Sequence, residues 1–300
     1  MEKFEKAADL MTRDVIVLPK AASLNEFVKI MEKYGITKVP VVDDGKFVGV
    51  ISDRSVLDKI GSIRSGTISP SRIHVSSLTS HEEGKDYYVI SPDTSIKRVV
   101  SIAKDTEVPM FVVMEEGEIA GVITKSDLLR LVKSDVPVEK IMKRNVFSVA
   151  PDDRIIHARH MMLNENIERL PVLHKGIVVG IISEMDIALH LVKIKEHTPT
   201  KWIQQHLREA LIRDAMKTEV ICADLNTPAS DAAQIMWDEG IGCLPIVIWK
   251  SYEDESQNIE DMDSTIRSIL EMRIKSGKIR GYPKIMGIIT RTDLIRLISV

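Results

Sequence analysis

Four copies of one short pattern constrain the fold of this chain more than any other feature. The pattern is a glycine, two aliphatic residues, a hydroxyl residue and, in three copies, an aspartate three positions after the hydroxyl. It occurs as GVISDRSV at 49–56, GVITKSDL at 121–128, GIISEMDI at 180–187 and GIITRTDL at 287–294. Self-similarity along a chain is typical of architectures built from copies of one supersecondary unit. We therefore predict four related units.

The spacing inside the units supports this prediction. Pro40 precedes its glycine by nine residues, and Pro171 precedes the glycine of the third copy by the same nine. In the second copy, the distance from Ile96 to Pro109 is 13 residues, where the first and third copies have 16. This difference predicts the loss of about one helical turn. In the fourth copy, 42 residues separate Pro245 from the glycine, which indicates a long insertion.

Each unit alternates between strand and helix patterns. In the first, VIVL (15–18) has strand character, Ser23 is a candidate N-cap, Gly35 is a candidate C-cap, and an Asp-Asp-Gly turn joins two apolar strands. A two-layer unit of about 50 residues leaves too much apolar sheet exposed to be stable alone. We therefore expect an α/β (α+β) fold of four β-α-β-β-α repeats, the first paired with the second and the third with the fourth.

The predicted repeats span residues 1–60, 75–133, 134–195 and 208–300, with an insertion at about 250–283 in the fourth. A helix is expected in the linker 197–216. The acidic start of the insertion is expected to be a solvated loop, and helical spacing follows at Ile259, Met262, Ile266, Ile269 and Leu270. These apolar residues pack either on the chain itself or on a partner or second copy.

Composition narrows the class of protein. With 44% hydrophobic and 28% charged residues, the chain has the composition of a soluble globular protein. No apolar run reaches the ~18 residues that cross a bilayer, and the amino terminus lacks a signal-peptide core, so an intracellular, cytoplasmic protein without membrane attachment is expected. A formal net charge of −3 gives nucleic-acid binding no support beyond the local bases of 275–284. The spacing of Cys222 and Cys243 favours reduced, buried thiols over a zinc site.

The repeated pattern resembles the cystathionine-β-synthase (CBS) domain, and the resemblance covers almost the whole chain. The architecture that this resemblance implies is similar to that of stand-alone archaeal or prokaryotic four-repeat proteins and of the gamma subunits of AMP-activated protein kinase. The resemblance implies two paired units, or Bateman modules, with clefts that bind AMP, ADP, ATP or S-adenosylmethionine relatives. It further implies a regulatory protein, a homodimer with an unknown protein partner, and no required cofactor.

Two other classes of function remain open. An enzyme is disfavoured because the repeats fill the chain and leave no catalytic domain, and because His157 and His160 have no further metal ligand evident. A scaffold that binds protein without any nucleotide is the second alternative.

On this resemblance, the repeated pattern forms a nucleoside phosphate site. The hydroxyl lies at a helix start, where unpaired N–H groups favour an anion, and the aspartate accepts hydrogen bonds from ribose hydroxyls. The fourth copy is the best candidate, and the second copy is also intact and basic. Their candidate ligand-binding residues are Thr290, Arg291, Thr292 and Asp293, and Thr124, Lys125, Ser126 and Asp127. An aspartate in a first helical turn is also stabilising without any ligand, and this remains the alternative interpretation.

The other two copies depart from the pattern. The third has Ser183 and Asp186, but Glu184 between them is expected to oppose a phosphate. In the first, Ser55 replaces the aspartate, so ribose anchoring is lost, although Ser52 and Arg54 remain candidates for holding a phosphate.

The resemblance also assigns the wall that contacts the adenine. It places that wall on the first strand of each repeat and on the residues just before the proline of the following strand. The candidates are Val15, Ile36, Thr37, Ile167, Glu168, Val220, Ile241 and Gly242. The aliphatic members are alternatively core residues. Gly242 is expected to let a flat ring approach closely, since it has no side chain.

Overall fold

The computed structural model describes residues 4–60, 68–84 and 86–299, and it contains all four units, which we number repeats one to four. Repeat one comprises α1 (Ala7–Leu10), β1 (Leu18–Pro19), α2 (Leu24–Tyr34), β2 (Lys38–Asp43), β3 (Lys46–Ser52) and α3 (Asp53–Ile60). Repeat two comprises β4 (Tyr88–Ile90), α4 (Ile96–Thr106), β5 (Met110–Glu115), β6 (Glu118–Thr124) and α5 (Lys125–Leu128).

The second half of the chain follows the same order. Repeat three comprises α6 (Ile155–Glu165), β7 (Arg169–His174), β8 (Ile177–Ser183) and α7 (Glu184–His197), and the linker contains the expected helix, α8 (Ile203–Glu209). Repeat four comprises β9 (Ala223–Asp224), α9 (Ala229–Asp238), β10 (Cys243–Lys250), α10 (Tyr252–Glu260), α11 (Ser264–Lys275), β11 (Tyr282–Thr290) and α12 (Arg291–Ile295).

Short-range signals set the elements of repeat one. Ser23 and Glu26 form a capping box that begins α2, with the Ser23 amide donating to Oε2 of Glu26 at 2.7 Å. Gly35 ends the helix in the left-handed region at φ 66°. Asp44 and Gly45 both have positive φ, 48° and 81°, as a two-residue hairpin turn of type I′ requires. The predicted cap, helix end and turn are confirmed.

The first strand is shorter than predicted. Only Leu18 and Pro19 join the sheet, as a parallel partner of β2. The chain turns before them, because the Val15 amide donates back to the Arg13 carbonyl at 2.9 Å. The stretch 15–17 therefore connects two segments and contributes no strand.

The predicted loss of a helical turn in repeat two is wrong. Helix α4 has 11 residues, the same length as α2 and α6. Val112 lies opposite Val122 on the neighbouring strand, as Pro40 lies opposite Val50 in repeat one. Val112 is thus the equivalent of Pro40, and Pro109 stands just before β5, where a missing N–H costs no hydrogen bond of the sheet.

The amino-terminal segment of each repeat crosses to the repeat with which it is paired. Antiparallel bridges join these segments to the last strand of the partner repeat, and the bridged pairs are Thr12 with Val122, Ser80 with Val50, Lys143 with Ile288, and Lys217 with Ile181. Repeats one and two, and repeats three and four, are therefore held together by reciprocal exchange of chain. The predicted pairing is confirmed.

The glycine of the repeated pattern is where the crossing chain makes contact. A Cβ built on Gly121 would lie 2.6 Å from Sδ of Met11, and one on Gly287 would lie 2.5 Å from Sδ of Met142. On Gly180 it would lie 2.8 Å from Sδ of Met216. Real carbon atoms are not found at such distances, so the space taken by the missing side chain belongs to the neighbouring repeat.

Apolar clusters join the four repeats around one centre. Val50 with Met110 and Val112 links the sheets of repeats one and two, and Val178 with Val247 links those of repeats three and four. Two larger cores, built mainly from helices, join repeat one to repeat three and repeat two to repeat four. Each repeat thus contacts its partner through the sheet and a repeat of the other pair through its helices.

The insertion is a pair of helices at the end of a long hairpin. The prediction of a solvated loop at its acidic start is wrong, because Ser251 and Asp254 form a capping box that begins α10. Ile259, Met262, Ile266 and Leu270 are buried against the core shared by repeats one and three, so the insertion packs on its own chain. Within the described ranges, no helix is both long and apolar enough to cross a bilayer.

Candidate functional site

The aspartates of the repeated pattern are all placed by the hydroxyl three residues earlier. Oδ2 of Asp293 accepts from the amide of Thr290 at 2.8 Å and from its hydroxyl at 2.7 Å. Asp127 makes the same two contacts with Thr124, at 2.7 and 2.8 Å. Each carboxylate therefore caps its own helix, as the alternative interpretation expects, and one carboxylate oxygen is committed to that task.

The other carboxylate oxygen faces the crossing segment of the paired repeat. Oδ1 of Asp293 lies 3.6 Å from Nζ of Lys143, and Oδ1 of Asp186 lies 3.2 Å from Nζ of Lys217. Both lysines are more than half exposed and carry long, flexible side chains. The second oxygen of each carboxylate is thus held only by an exposed, flexible lysine.

Repeat one has lost this arrangement. Ser55 stands in the aspartate position, and its hydroxyl donates to the Ser52 carbonyl at 2.7 Å. The Ser52 hydroxyl in turn accepts from the Ser55 amide at 3.2 Å. The neutral Ser55 hydroxyl caps the start of the helix, but it offers no carboxylate to accept hydrogen bonds from a ribose.

The candidate wall residues lie at boundaries between repeats or on the cores. Val15 follows the segment that crosses to repeat two and precedes β1. Val220 has the equivalent position, after the segment that crosses to repeat three and before β9. Ile36 and Ile167 pack against the core of repeats one and three, and Ile241 packs against that of repeats two and four. The core interpretation therefore applies to the three isoleucines. It also applies to Val220, which is buried and packs with Val178 and Val247. Val15 is half-buried and lies where a cleft is expected.

The residue before the second strand has a recurring backbone contact. The carbonyls of Thr37, Glu168 and Gly242 accept a hydrogen bond from the first amide of the last helix, at 2.9, 3.0 and 3.3 Å. In repeat two, Pro109 makes the equivalent contact with the Lys125 amide at 3.4 Å. These carbonyls fix the helix start, which leaves one lone pair of each for any other donor.

The space over Gly242 is already filled. A Cβ on this residue would collide with the guanidinium of Arg169, from repeat three. The planar group that lies over the glycine in this structure is therefore an arginine, where we expected room for a base.

Four cations, one from each repeat, lie around the carboxylate of Glu168, and we call this cluster the centre. A second carboxylate, that of Asp53, lies 3.9 Å from Nζ of Lys38. Glu168 lies 2.9 Å from Nη1 of Arg169 and 3.6 Å from Nζ of Lys38. Lys38 first, then Arg169, Lys125 and Arg291, lower the pKa of Glu168 far below its usual range. Although it has these neighbours, 46% of the Glu168 side chain is accessible, whereas Lys38 and Arg169 are only 14% and 22% exposed.

The motif residues of repeats two and four meet at this centre. Nζ of Lys125 donates to Oγ1 of Thr292 at 2.9 Å, which joins the two helix starts directly. Arg291 holds the turn before β10 through the carbonyls of Ile241 and Gly240, at 3.1 and 3.2 Å. Burial first, and then Arg169, lower the pKa of Arg291 to about 10, which still leaves it charged at neutral pH. Ser126 is half-buried beside Lys125.

Glu184 is matched by a cation of its own. Its Oε1 accepts from Nη1 of Arg54, in repeat one, at 2.6 Å, and only 1% of its side chain is exposed. Arg54 also donates to the Leu163 carbonyl at 3.0 Å. Burial, and then the nearby Asp53, raise the pKa of Glu184 to about 8. Arg54 and Glu184 therefore join the two pairs of repeats, and Arg54 is not free to hold a phosphate as we expected.

Lys38 and Arg169 were not among the predicted residues. Both begin the second strand of their repeat, in KVPVV and RLPVL, one residue after Thr37 and Glu168. A charged residue that starts an otherwise apolar strand at the same place in two repeats is a signal present in the sequence.

A further missed residue connects the insertion to repeat four. Arg273, on α11, donates to the carbonyls of Thr218 and Val220 at 3.1 and 3.0 Å. Helical spacing gives no sign of this contact, because Arg273 and Val220 are far apart in sequence. The insertion is thus tied to the candidate wall of the fourth cleft.

The part of the chain that the structure describes contains neither a metal site nor a reactive thiol. No group of three His, Cys, Asp or Glu residues there has the geometry to hold a metal ion. His157 and His160 are exposed on α6. Burial raises the pKa of Cys222 to about 12 and that of Cys243 to about 11, so both unbridged thiols stay protonated at neutral pH.

Known proteins show the same repeat. The family model for the CBS domain matches residues 7–62, 82–134, 138–193 and 212–259. Protein MJ1404 of Methanocaldococcus jannaschii, an uncharacterized relative, is 29% identical over 263 residues, which are 82% of this chain and 58% of that protein. This chain thus spans little more than half the length of that relative.

Solved structures share the four-repeat arrangement. Protein MJ1225 of Methanocaldococcus jannaschii, described as a candidate archaeal homologue of g-AMPK, matches with a TM-score of 0.74 at 18% identity. The match covers 98% of this chain and all of that one. An uncharacterized conserved protein from Pyrococcus horikoshii matches with a TM-score of 0.55 at 19% identity and the same coverage. At these identities the similarity establishes the fold.

Proposed function

Because the chain belongs to the CBS-domain family, we propose that it is a regulatory protein that binds adenine nucleotide in the clefts between its repeats. The phosphates of AMP, ADP or ATP point to the centre of the molecule, and the ribose lies against the aspartate of the repeated pattern. Binding changes how the two pairs of repeats are placed, and an unidentified protein partner responds to that change.

The central cluster of cations is the observation that carries this proposal. Lys38, Lys125, Arg169 and Arg291 come from four different repeats and lie around the partly exposed carboxylate of Glu168. Cations close together in a folded protein repel each other, so such a cluster is costly unless anions neutralise it. Phosphate groups that enter from the clefts supply the negative charge that Glu168 and Asp53 leave unmatched, and arginine in particular suits them through its planar fork of donors.

The clefts differ in what they offer a nucleotide. The fourth combines Asp293 and Thr290 with Arg291, and the second combines Asp127 with Lys125. We propose these two as the sites that fill first. In the third, Glu184 is paired with Arg54, so the cleft retains Ser183 and Asp186 without a local cation from its own motif. The first lacks the carboxylate and is proposed to remain empty.

The contacts between pairs of repeats provide a route from ligand to partner. Arg159 of repeat three donates to the carbonyls of Leu57 and Asp58 at 2.8 and 2.7 Å, next to the Arg54–Glu184 pair. A ligand that draws Lys38 or Arg169 toward its phosphate acts on the same boundary. We propose that this boundary adjusts on binding in a cytoplasmic homodimer that performs no catalysis itself.

Calorimetric titration of verified ligand-free protein tests the proposal. We expect AMP, ADP or ATP to bind, and adenosine to bind more weakly because it lacks the charge that the centre attracts. If only S-adenosylmethionine binds, the ligand is a cationic adenosine derivative and not an adenine nucleotide. If none of these ligands gives a binding signal, nucleotide sensing is contradicted, and the protein-binding scaffold remains as the alternative function.

A further inference from the structure

The carboxylate of Glu168 lies among the cations of the centre. Its two carboxylate oxygens are divided between Arg169 at 2.9 Å and Lys38 at 3.6 Å. Burial alone would lower the pKa of Lys38, but Glu168, Asp53 and Glu184 together raise it, so the ammonium group stays charged. The carboxylate thus neutralises cations that belong to other repeats as well as its own neighbour.

Only repeat three has an acid at this position. The residues that make the same backbone contact in the other repeats are Thr37, Pro109 and Gly242, none of which carries charge. The fold therefore has no general need for a carboxylate here. The backbone carbonyl, which any residue has, performs the structural task.

The Glu168 side chain is also not a buried structural ion pair. With 46% of it accessible, the Glu168 carboxylate reaches water when it rotates away. Lys38 and Arg169, which are 14% and 22% exposed, then need another anion to match their charge. Glu184 differs from Glu168, because it is sealed against Arg54. The accessible carboxylate is free to be displaced.

We propose that Glu168 is a resident counter-ion that competes with ligand phosphates for the central cations and so sets how many phosphates the site prefers. The inference rests on the proposed nucleotide function. With Glu168 in place, a bound phosphate must displace the carboxylate or share the cations with it. The penalty grows with ligand charge, so Glu168 restrains triphosphates more than monophosphates and leaves adenosine unaffected.

The test compares the phosphate dependence of binding in two variants. Glu168→Gln removes the charge and keeps the size, whereas Glu165→Gln removes an exposed acid of the same repeat as a matched control. Each protein, freed of ligand, is titrated with adenosine, AMP and ATP at one low salt concentration. Inorganic triphosphate is titrated in parallel, because it has the charge without the base.

We expect Glu168→Gln to bind AMP on the order of tenfold more tightly than the parent, with a larger gain for ATP and none for adenosine. Inorganic triphosphate should gain as ATP does, and Glu165→Gln should match the parent throughout. An equal gain for all ligands, or no gain with nucleotide still bound, would overturn the inference while leaving nucleotide binding intact. No binding by any of the proteins would refute both proposals.

A second variant covers the case in which Glu168→Gln does not fold. Lys38→Gln removes one of the cations that Glu168 neutralises, and it should weaken ATP binding more than AMP binding. Equal weakening of ATP and AMP binding would contradict a role for the central cations in setting how many phosphates the site prefers.

Discussion

The guanidinium of Arg54 in repeat one lies 2.6 Å from the carboxylate of Glu184 in repeat three, and this ion pair joins the two halves of the molecule. Glu184 is buried, whereas Arg54 is about a quarter exposed. A pair of this kind is costly to break from one side, because the remaining charge stays out of water. The relative position of the two pairs of repeats therefore depends on a titratable contact.

Replacing Arg54 by alanine should destabilise the protein by about 3 kcal/mol at pH 8. The loss should be smaller at pH 6, because the pKa of Glu184, about 8, keeps its carboxyl group protonated there whether or not Arg54 is present. Urea unfolding at the two pH values measures this. The pair Arg54→Ala with Glu184→Gln should be more stable at pH 8 than Arg54→Ala alone. Equal stability of these two variants would show that the charges are not coupled.

The pKa of Glu184 predicts how stability depends on pH. Burial, followed by Asp53, raises this pKa from 4.5 to about 8, so the folded protein holds the proton more tightly than the unfolded chain. The contribution is fully present below pH 4.5 and is lost as pH rises through about 8. We expect the parent to lose about 1 to 3 kcal/mol between pH 6 and 9 relative to Glu184→Gln. Parallel pH profiles from urea unfolding would contradict the assignment.

Gly287 is where the crossing segment of repeat three presses on repeat four. Changing it to alanine places a Cβ 2.5 Å from Met142 and 3.0 Å from the Lys143 carbonyl, so we expect a loss of about 1 to 3 kcal/mol. Adding Met142→Ala should recover part of it, since the sulfur then no longer blocks the space. Gly277→Ala is the control, because nothing lies within 4 Å of its Cβ and only its φ of 73° opposes the change. Thermal unfolding compares the three.

Arg273, on the insertion, holds the segment that precedes β9. Arg273→Met keeps much of the side-chain volume and removes the hydrogen bonds to Thr218 and Val220. We expect nucleotide affinity to fall several-fold, because the wall is no longer fixed. Lys278→Ala removes an exposed ion pair with Glu219 from the same segment and should leave affinity unchanged. Equal effects in both variants would remove the link between insertion and cleft.

The repeat pattern made most of the fold predictable. The four glycine motifs, the cap at Ser23 and the turn at Asp44 depend on local chemistry, and each is placed as expected. The error in repeat two came from treating Pro109 as the equivalent of Pro40. Sheet register is set by contacts between strands, and a single proline does not determine it.

The site was less predictable than the fold. Asp293 and Asp127 follow from the motif, since the hydroxyl three residues earlier orients each of them. The centre depends on how the two pairs of repeats pack, which no spacing within one repeat encodes. Arg169 over Gly242 and Arg54 beside Glu184 are contacts of that kind.

Titration with AMP of the parent, Asp293→Ala and Asp254→Ala tests the central claim most directly. Both aspartates belong to capping boxes, so each change should cost about 1 kcal/mol of stability, but only Asp293 belongs to the proposed fourth site. We predict that Asp293→Ala loses at least about tenfold in affinity at the fourth site, since a hydrogen bond to a charged group is gone, while Asp254→Ala binds like the parent. Unchanged AMP affinity in Asp293→Ala would contradict the proposed site.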